Sequence, residues 1–235
     1  MRRSRASLLV AVGTMMGLVA HGPLGAQIVP SPYEFIDARH DVEIYGGVAL
    51  EDRGSLDLGP GGGPVFGARY GLHVTGPVSV EGNGYLIFTD RQVWDPRPAN
   101  APVLLGEADM VLGVVDGRVR FTLTGDRTWR GLAPHATAGI GMAVDFSGRS
   151  ALEEEASLFS PNRFSFGPAF MATIGAGTRW LPFERLGFRL DTSLNLWRLG
   201  NPPAFRELED ELGRPVSENE WASVGTITLG ASYRF

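Results

Sequence analysis

The histidines are the residues of this sequence that could take part in acid–base catalysis, and two of them lie in segments that could hold a site. His73 stands just before the short stretch TGP at 75–77, and His135 stands at the start of an alternating segment. An enzyme needs a nucleophile, a base and an orienting group brought together. We instead interpret both residues as interior histidines that hydrogen-bond to polar neighbours, and we predict no catalytic residue.

Two runs of carboxylates could bind a metal ion: Glu153 to Glu155, and the stretch from Glu207 to Glu211. Carboxylate oxygens suit Ca²⁺ or Mg²⁺, but neither run has EF-hand spacing or the glycine with which such a loop turns. The sequence contains no cysteine, which excludes cysteine-ligated metal sites and a disulfide scaffold. We therefore expect solvated acidic loops, with no metal and no cofactor.

A third set of charged residues alternates with apolar ones. In VVDGRVRFTLT, at 114–124, the odd-numbered positions are apolar or glycine, and the even-numbered ones from Asp116 onward are charged or polar. A period of two is typical of a β-strand. Asp116 and Gly117 could also form a type I′ turn, which would give nine strands in all. An up-and-down barrel with both ends on one side needs an even number, so we predict that these two residues lie within one strand.

Seven further segments show the same alternation. The connections after the first, third, fifth and seventh segments are long, and the three between them are shorter. This asymmetry is typical of outer-membrane barrels, which have long outer loops and short periplasmic turns. We predict an all-β fold, an eight-stranded antiparallel up-and-down transmembrane β-barrel. The predicted strands are 42–51, 65–75, 78–89, 114–124, 134–146, 164–180, 186–197 and 221–235.

The N-terminal residues have the composition of a cleavable signal peptide. MRRSRAS is basic, LLVAVGTMMGLVA is apolar, and HGPLGA ends in small residues. The apolar run is shorter than the roughly 20 residues of a spanning helix. Removal of 1–26 takes away three Arg and no acid, so the formal charge falls from -5 to -8, which excludes a nucleic-acid binder. We predict a signal peptide at 1–26, a periplasmic lead-in at 27–41 and a barrel domain at 42–235.

Alternation alone is compatible with two opposite barrels: a soluble lipocalin-like one with its apolar face inward, or a membrane one with its apolar face outward. The predicted polar face carries acids and arginines in equal number, together with many glycines. An eight-stranded barrel has an interior only just wide enough for side chains, and buried charges there must be paired. We therefore predict a charge network inside the lumen. Its members are Glu43, Arg69, Glu81, Asp116, Arg118, Arg120, Asp145, Arg179, Arg189 and Asp191.

The opposite, apolar face carries aromatic residues at the ends of the predicted strands. Aromatic rings at both interfaces are typical of membrane barrels. No Arg, Asp or Glu falls on this face in the predicted strands, where a basic residue at mid-bilayer would cost about 2–4 kcal/mol. We predict an aromatic girdle formed by Phe164, Phe166, Trp180, Trp221 and Tyr233.

The last residues, ASYRF, place Tyr233 and Phe235 two apart, with Gly230 in the alternating run before them. They resemble the C-terminal signal by which bacterial outer-membrane barrels are recognised by their assembly machinery. With the eight strands, residues 42–235 resemble the small outer-membrane β-barrel superfamily of the outer-membrane protein A, X and W types. The resemblance implies an integral outer-membrane protein with both termini periplasmic, whose partners are outer-membrane lipid, lipopolysaccharide and the assembly machinery. We expect a monomer.

That superfamily includes anchors, adhesins, narrow pores and lipid-modifying enzymes, so the resemblance leaves the activity open. We predict a structural or surface-interaction role, because balanced charges favour an interlocking plug over a selective pore, which shows an excess of one sign. The alternatives are a narrow channel for small solutes or apolar compounds and a lipid A modifying enzyme. His73 and His135 fall at the periplasmic ends of the predicted strands, on the wrong side for chemistry in the outer leaflet. A soluble lipocalin-like binder ranks last.

Overall fold

A computed structural model describes residues 31–50, 53, 59–97, 102–158, 166–200 and 219–235. They belong almost entirely to one compact unit, Pro32–Phe235. The predicted signal peptide, Phe164 of the predicted girdle and the carboxylate run at 207–211 lie outside the described residues.

Eight long antiparallel strands form a closed barrel. Each pairs with the next long strand along the chain, and the last pairs with the first. The prediction of an eight-stranded up-and-down antiparallel barrel is therefore confirmed. Two three-residue strands, β1 and β6, and one short helix are additional. In chain order the elements are β1 (Tyr33–Phe35), β2 (His40–Ala49), β3 (Gly63–Thr75), β4 (Val78–Asp95), β5 (Val103–Thr122), β6 (Arg127–Trp129), β7 (Leu132–Asp145), α1 (Ala151–Glu155), β8 (Ala169–Trp180), β9 (Leu186–Gly200) and β10 (Asn219–Arg234).

Strand β5 runs through the position where a turn was the alternative. Asp116 pairs with Asn83 of β4, and Gly117 pairs with Gly82. These residues therefore lie within a strand, as predicted. Both β4 and β5 extend further than their predicted segments, with 18 and 20 residues. Their hairpin consequently extends past the ends of the neighbouring strands β3 and β7.

The two ends of the barrel differ in the length of their connections. The short-turn end carries the connections at 76–77, 123–131 and 181–185. Phe235 also lies there and exchanges two backbone hydrogen bonds with His40. At the long-loop end β2, β4, β7 and β9 end, and β3, β5, β8 and β10 begin.

The additional elements decorate both ends. At the short-turn end, β1 pairs with β6, with Tyr33 opposite Trp129. The predicted lead-in at 27–41 thus contains a strand, and β2 begins at His40 rather than at 42. At the long-loop end, α1 begins after Ser150, whose side chain and that of Glu153 form a reciprocal capping box.

Burial alternates along the long strands, because successive side chains of a strand point to opposite faces. Large apolar side chains on the outer face are exposed, with 70% exposure at Val115 and 62% at Leu229. The inward side chains are buried and include both charged and apolar residues. No helix among the described residues is long and apolar enough to cross a bilayer.

Candidate functional site: the filled lumen

Glu81 of β4 is the centre of a charge cluster in the half of the lumen nearer the short-turn end. Its side chain is fully buried. Its Oε1 accepts hydrogen bonds from Nη1 of Arg120 and, at 2.6 Å, from Nη1 of Arg189. Nε of Arg69 lies 3.9 Å from its Oε2. One carboxylate thus pairs with arginines of three different strands.

Asp191 of β9 forms the second centre of this charge cluster. Its Oδ2 accepts a hydrogen bond of 2.8 Å from Nη1 of Arg69 and lies 2.7 Å from Nε of Arg189. Nε2 of His135 lies 2.9 Å from its Oδ1. His135 is therefore an interior histidine with a polar partner. His73 also lies at the short-turn end, where its Nδ1 is 3.4 Å from Oγ of Ser79.

Two further carboxylates complete the cluster. Glu43 lies 3.6 Å from Arg69 and 3.8 Å from Arg189. Asp41 lies 3.3 Å from Arg120 and 3.3 Å from Arg179. The sequence prediction omits Asp41 because it begins the first strand at 42. The alternation that includes Glu43 reaches Asp41 when the strand is extended towards the N-terminus by one period of two residues.

Asp116 and Arg118 form a separate ion pair one layer nearer the middle of the barrel. Nε and Nη2 of Arg118 donate to the two oxygens of Asp116 at 2.6 and 2.8 Å. Asn83 donates to Asp116 at 3.0 Å and accepts from the hydroxyl of Tyr45 at 2.6 Å. The guanidinium of Arg69 stands 5.0 Å above the ring of Tyr45, which links this pair to the charge cluster.

Asp145, a predicted member of the network, lies apart from it. It is the last residue of β7 at the long-loop end, and it is partly exposed. Its Oδ1 accepts a hydrogen bond of 2.7 Å from the backbone of Ser147. The placement corrects the prediction: Asp145 has the parity of an inward residue, but its strand ends there, so its side chain turns to the following loop.

Inward-facing glycines make room for the charged side chains. A Cβ atom at Gly71 would lie 2.6 Å from Oδ1 of Asp41. A Cβ atom at Gly177 would clash with the carboxylate of Asp191, and one at Gly230 would clash with that of Glu43. Gly230, which we assigned to the assembly signal, is thus also required by packing in the lumen.

The half of the lumen nearer the long-loop end is filled by apolar side chains. Trp197 is fully buried, and its ring packs edge-on against that of Phe166, with centroids 5.9 Å apart. The sequence prediction omits this layer because it lists only the charged members of the inward face. The inward parity of Tyr85, Ile87 and Trp197 within the predicted strands was the available signal. The apolar layer is formed by Tyr45, Ala49, Val65, Tyr85, Ile87, Met110, Leu112, Val114, Ala143, Phe166, Ala169, Met171, Trp197, Leu199, Ala222 and Val224.

Phe166 therefore does not belong to a girdle, which corrects the prediction. The predicted strand was extended to 164, whereas β8 begins at Ala169. Residues before a strand do not keep its alternation, so Phe166 enters the barrel and packs on Trp197. Trp180, Trp221 and Tyr233 are exposed on the outer face, near the ends of their strands.

The other residues of the predicted assembly signal lie on the outer face at the short-turn end. Tyr233 and Phe235 are both exposed. Their rings stack with centroids 6.3 Å apart, and Phe235 also stacks on His40 at 5.5 Å.

Helix α1 packs on the β4–β5 hairpin at the long-loop end. Nη2 of Arg91 donates a hydrogen bond of 2.7 Å to Oε2 of Glu153, and both side chains are buried. Leu158, Val93 and Ala108 form a small apolar cluster beside this pair. The sequence predicts that Glu153 belongs to a solvated acidic loop. The structure corrects this, because the Glu153 side chain is buried and pairs with Arg91.

The interior of the described barrel is filled by charged, polar and apolar side chains. In the charged half of the lumen nearer the short-turn end and the adjoining layer of Asp116, the described buried charges are five carboxylates and six arginines: Asp41, Glu43, Glu81, Asp116, Asp191, Arg69, Arg118, Arg120, Arg179, Arg189 and Arg234. Between the charged and apolar layers there is a cavity of only about 10 Å³, beside Tyr45 and Tyr85. Within the described ranges there is no group of three His, Asp or Glu side chains that could hold a metal ion.

Comparison with known proteins gives structural but not sequence relatives. No family model matches the sequence, and no curated protein matches it. The outer membrane protein OprG from Pseudomonas aeruginosa is similar with a TM-score of 0.52 and 14% identity, over 84% of this chain and 97% of that chain. Neisserial surface protein A has a TM-score of 0.48 and 12% identity, over 87% and 98%.

The similarity to OprG shows the fold alone, because the sequence identity is low. This chain has the fold of the small bacterial outer-membrane β-barrels. The resemblance seen in the sequence is confirmed at the level of the fold.

Proposed function

We propose that this protein is an integral β-barrel of a bacterial outer membrane with a structural or surface-interaction role, and that its lumen is closed by side chains. The observation that carries the proposal is the filled interior. A charged layer and an apolar layer follow one another along the axis, and the inward charged residues that form the network are at most 7% exposed. Such a barrel anchors its outer loops in the membrane and does not conduct solutes.

The outer face supports placement in a bilayer. Ile44, Val115, Ile140 and Leu229 are each more than 60% exposed in the isolated chain. A soluble protein rarely exposes a contiguous apolar surface of this extent. In a bilayer the same side chains contact acyl chains, while the barrel satisfies its backbone groups by closing on itself. The partners that follow are outer-membrane lipid, lipopolysaccharide and the assembly machinery, and we propose a monomer.

The connections support an orientation in which the long-loop end faces outward. Outer-membrane barrels have short periplasmic turns and longer outer loops. Pro32 and Phe235 then both lie on the periplasmic side, since Phe235 pairs with His40 at the short-turn end. The projecting β4–β5 hairpin and α1, held together by Arg91 and Glu153, form an ordered surface on the outside.

The membrane orientation is tested by spin labels, which are unambiguous because the chain has no cysteine of its own. Labels at Leu229→Cys and Phe121→Cys are expected to be relaxed by oxygen in the bilayer and protected from a water-soluble nickel chelate. A label at Glu184→Cys, in the turn at 181–185, serves as the aqueous control. Protection from oxygen together with access of the chelate to Leu229→Cys would exclude the proposal.

Electrical recording tests the closed lumen against the channel alternative. The folded protein in a planar bilayer is expected to give no steady single-channel current. A variant with Glu81, Arg189 and Trp197 all replaced by Ala removes the centre of the charged layer and the largest side chain of the apolar layer, and it serves as the positive control if it folds. Reproducible current from the unsubstituted protein would favour a narrow channel.

A further inference from the structure

The wall of the barrel has a notch at the long-loop end between β8 and β9. The last pair of these strands is Met171 with Trp197, whereas β9 continues to Gly200. The notch leads to a cavity of about 520 Å³, and we call this the rim notch. Its principal walls are Phe166, Gly167, Phe170, Arg198, Leu199 and Gly200.

Arg198 is the charged residue in the walls of the rim notch. Among the outward positions of the eight long strands that the structure describes, it is the only arginine. Trp221 of β10 stands directly opposite Arg198. Continuing the register past Met171 and Trp197 places Phe170 of β8 level with it on the other side. The exposed guanidinium is thus flanked on the outer face by two aromatic residues, at the upper edge of the apolar surface.

Arg198 also differs in its ion pairing from other arginines at the long-loop end. Arg91 pairs with Glu153, Arg53 with Asp90 and Arg97 with Asp95. No carboxylate whose side chain the structure describes forms an ion pair with Arg198. A guanidinium is planar and matches the oxygens of a phosphate with two parallel hydrogen bonds.

We infer that the rim notch binds the phosphorylated sugar head group of an outer-leaflet lipid, with the phosphate on Arg198. This inference rests on the proposed membrane orientation. The apolar face below Arg198, including Leu196 and Ile174, then contacts the acyl chains of the same lipid. The volume of the rim notch lies within the range of small-ligand sites, and it exceeds what a lone phosphate needs.

The test measures lipid binding to the detergent-folded protein by native mass spectrometry, with diphosphorylated lipid A and the same lipid after removal of its phosphates. Arg198→Gln is expected to weaken binding of the diphosphorylated lipid at least about tenfold, as for a lost charge-assisted hydrogen bond. Arg39→Gln, the same change at an exposed arginine of the short-turn end, is the matched control and should stay within about twofold.

A second variant fills the rim notch without removing charge. A Cβ atom at Gly167 meets no atom within 4 Å, so Gly167→Leu is expected to fold and to weaken binding as well. Removal of the phosphates should weaken binding to the unsubstituted protein and leave Arg198→Gln unaffected.

Undiminished binding by Arg198→Gln, or equal binding of both lipids to the unsubstituted protein, would overturn the inference. Folding is checked separately by the heat-dependent gel mobility of each preparation. If the protein folds and enters bilayers but Arg198→Gln leaves lipid binding unchanged, only the inference about the rim notch is contradicted. A chain that does not enter bilayers contradicts the proposed function itself.

Discussion

Replacing Glu81 by Gln removes one negative charge from the centre of the charge cluster while keeping the size of the side chain. In the unsubstituted protein this carboxylate accepts from Arg120 and Arg189, with Arg69 at 3.9 Å. The amide would direct N–H donors at guanidinium groups that are themselves donors. Breaking a buried ion pair by removing one partner costs about 3–5 kcal/mol.

The loss is measured by urea unfolding in detergent micelles, followed by tryptophan fluorescence. With a slope of about 2 kcal/mol/M, a loss of about 4 kcal/mol lowers the unfolding midpoint by about 2 M. Glu184→Gln, the same change in an exposed turn, is the matched control and should leave the midpoint within about 0.3 M. If both variants unfold at the same urea concentration, the Glu81 carboxylate is stabilised by water rather than by the arginines. The proposal of a lumen closed by paired side chains would then be refuted.

Two further substitutions separate other parts of the structure. Gly177→Ala is expected to lower the free energy of unfolding by about 1–3 kcal/mol, because the added methyl group clashes with Asp191. Gly117→Ala on the outer face meets no atom within 4 Å and should be neutral or slightly stabilising; equal losses in the same urea assay would contradict the packing argument. Glu153→Gln is expected to speed tryptic cleavage after Arg149 several-fold by loosening α1, whereas the exposed Glu155→Gln on the same helix should not. Cleavage at one rate in all three proteins would show that the pair with Arg91 does not hold α1.

The paired charges illustrate how far local pattern reaches. Asp116 and Arg118 share a face in any strand that contains both, so their proximity follows from the period of two. Their ion pair, with 2.6 Å between Nε of Arg118 and Oδ1 of Asp116, therefore agrees with a prediction from the local sequence. Glu81 and Arg189 are 108 residues apart, and no local pattern states that they meet.

The strand predictions that the structure corrects have one cause in common: the sequence pattern does not fix where a strand begins or ends. Asp41 and Phe166 were misplaced because alternation does not state where a strand begins. The structure sets those limits by pairing: β2 starts where His40 meets Phe235 and Leu72, and β8 starts where Ala169 meets Ala143. Asp145 lies at such a limit and turns away for that reason. The long β4–β5 hairpin shows the opposite case, in which pairing continues beyond the apolar surface.

The sequence by itself determined the eight alternating strands, their up-and-down order and the division of each into an apolar and a polar face. These depend on residues one or two positions apart, and the backbone of a strand sends such residues to fixed sides. Only the tertiary structure decided that the lumen has two layers, that α1 is bound by Arg91, and that Arg198 lies beside Trp221 at a notch. Those features depend on the register between strands and on where each strand ends, because both bring together side chains that are far apart along the chain.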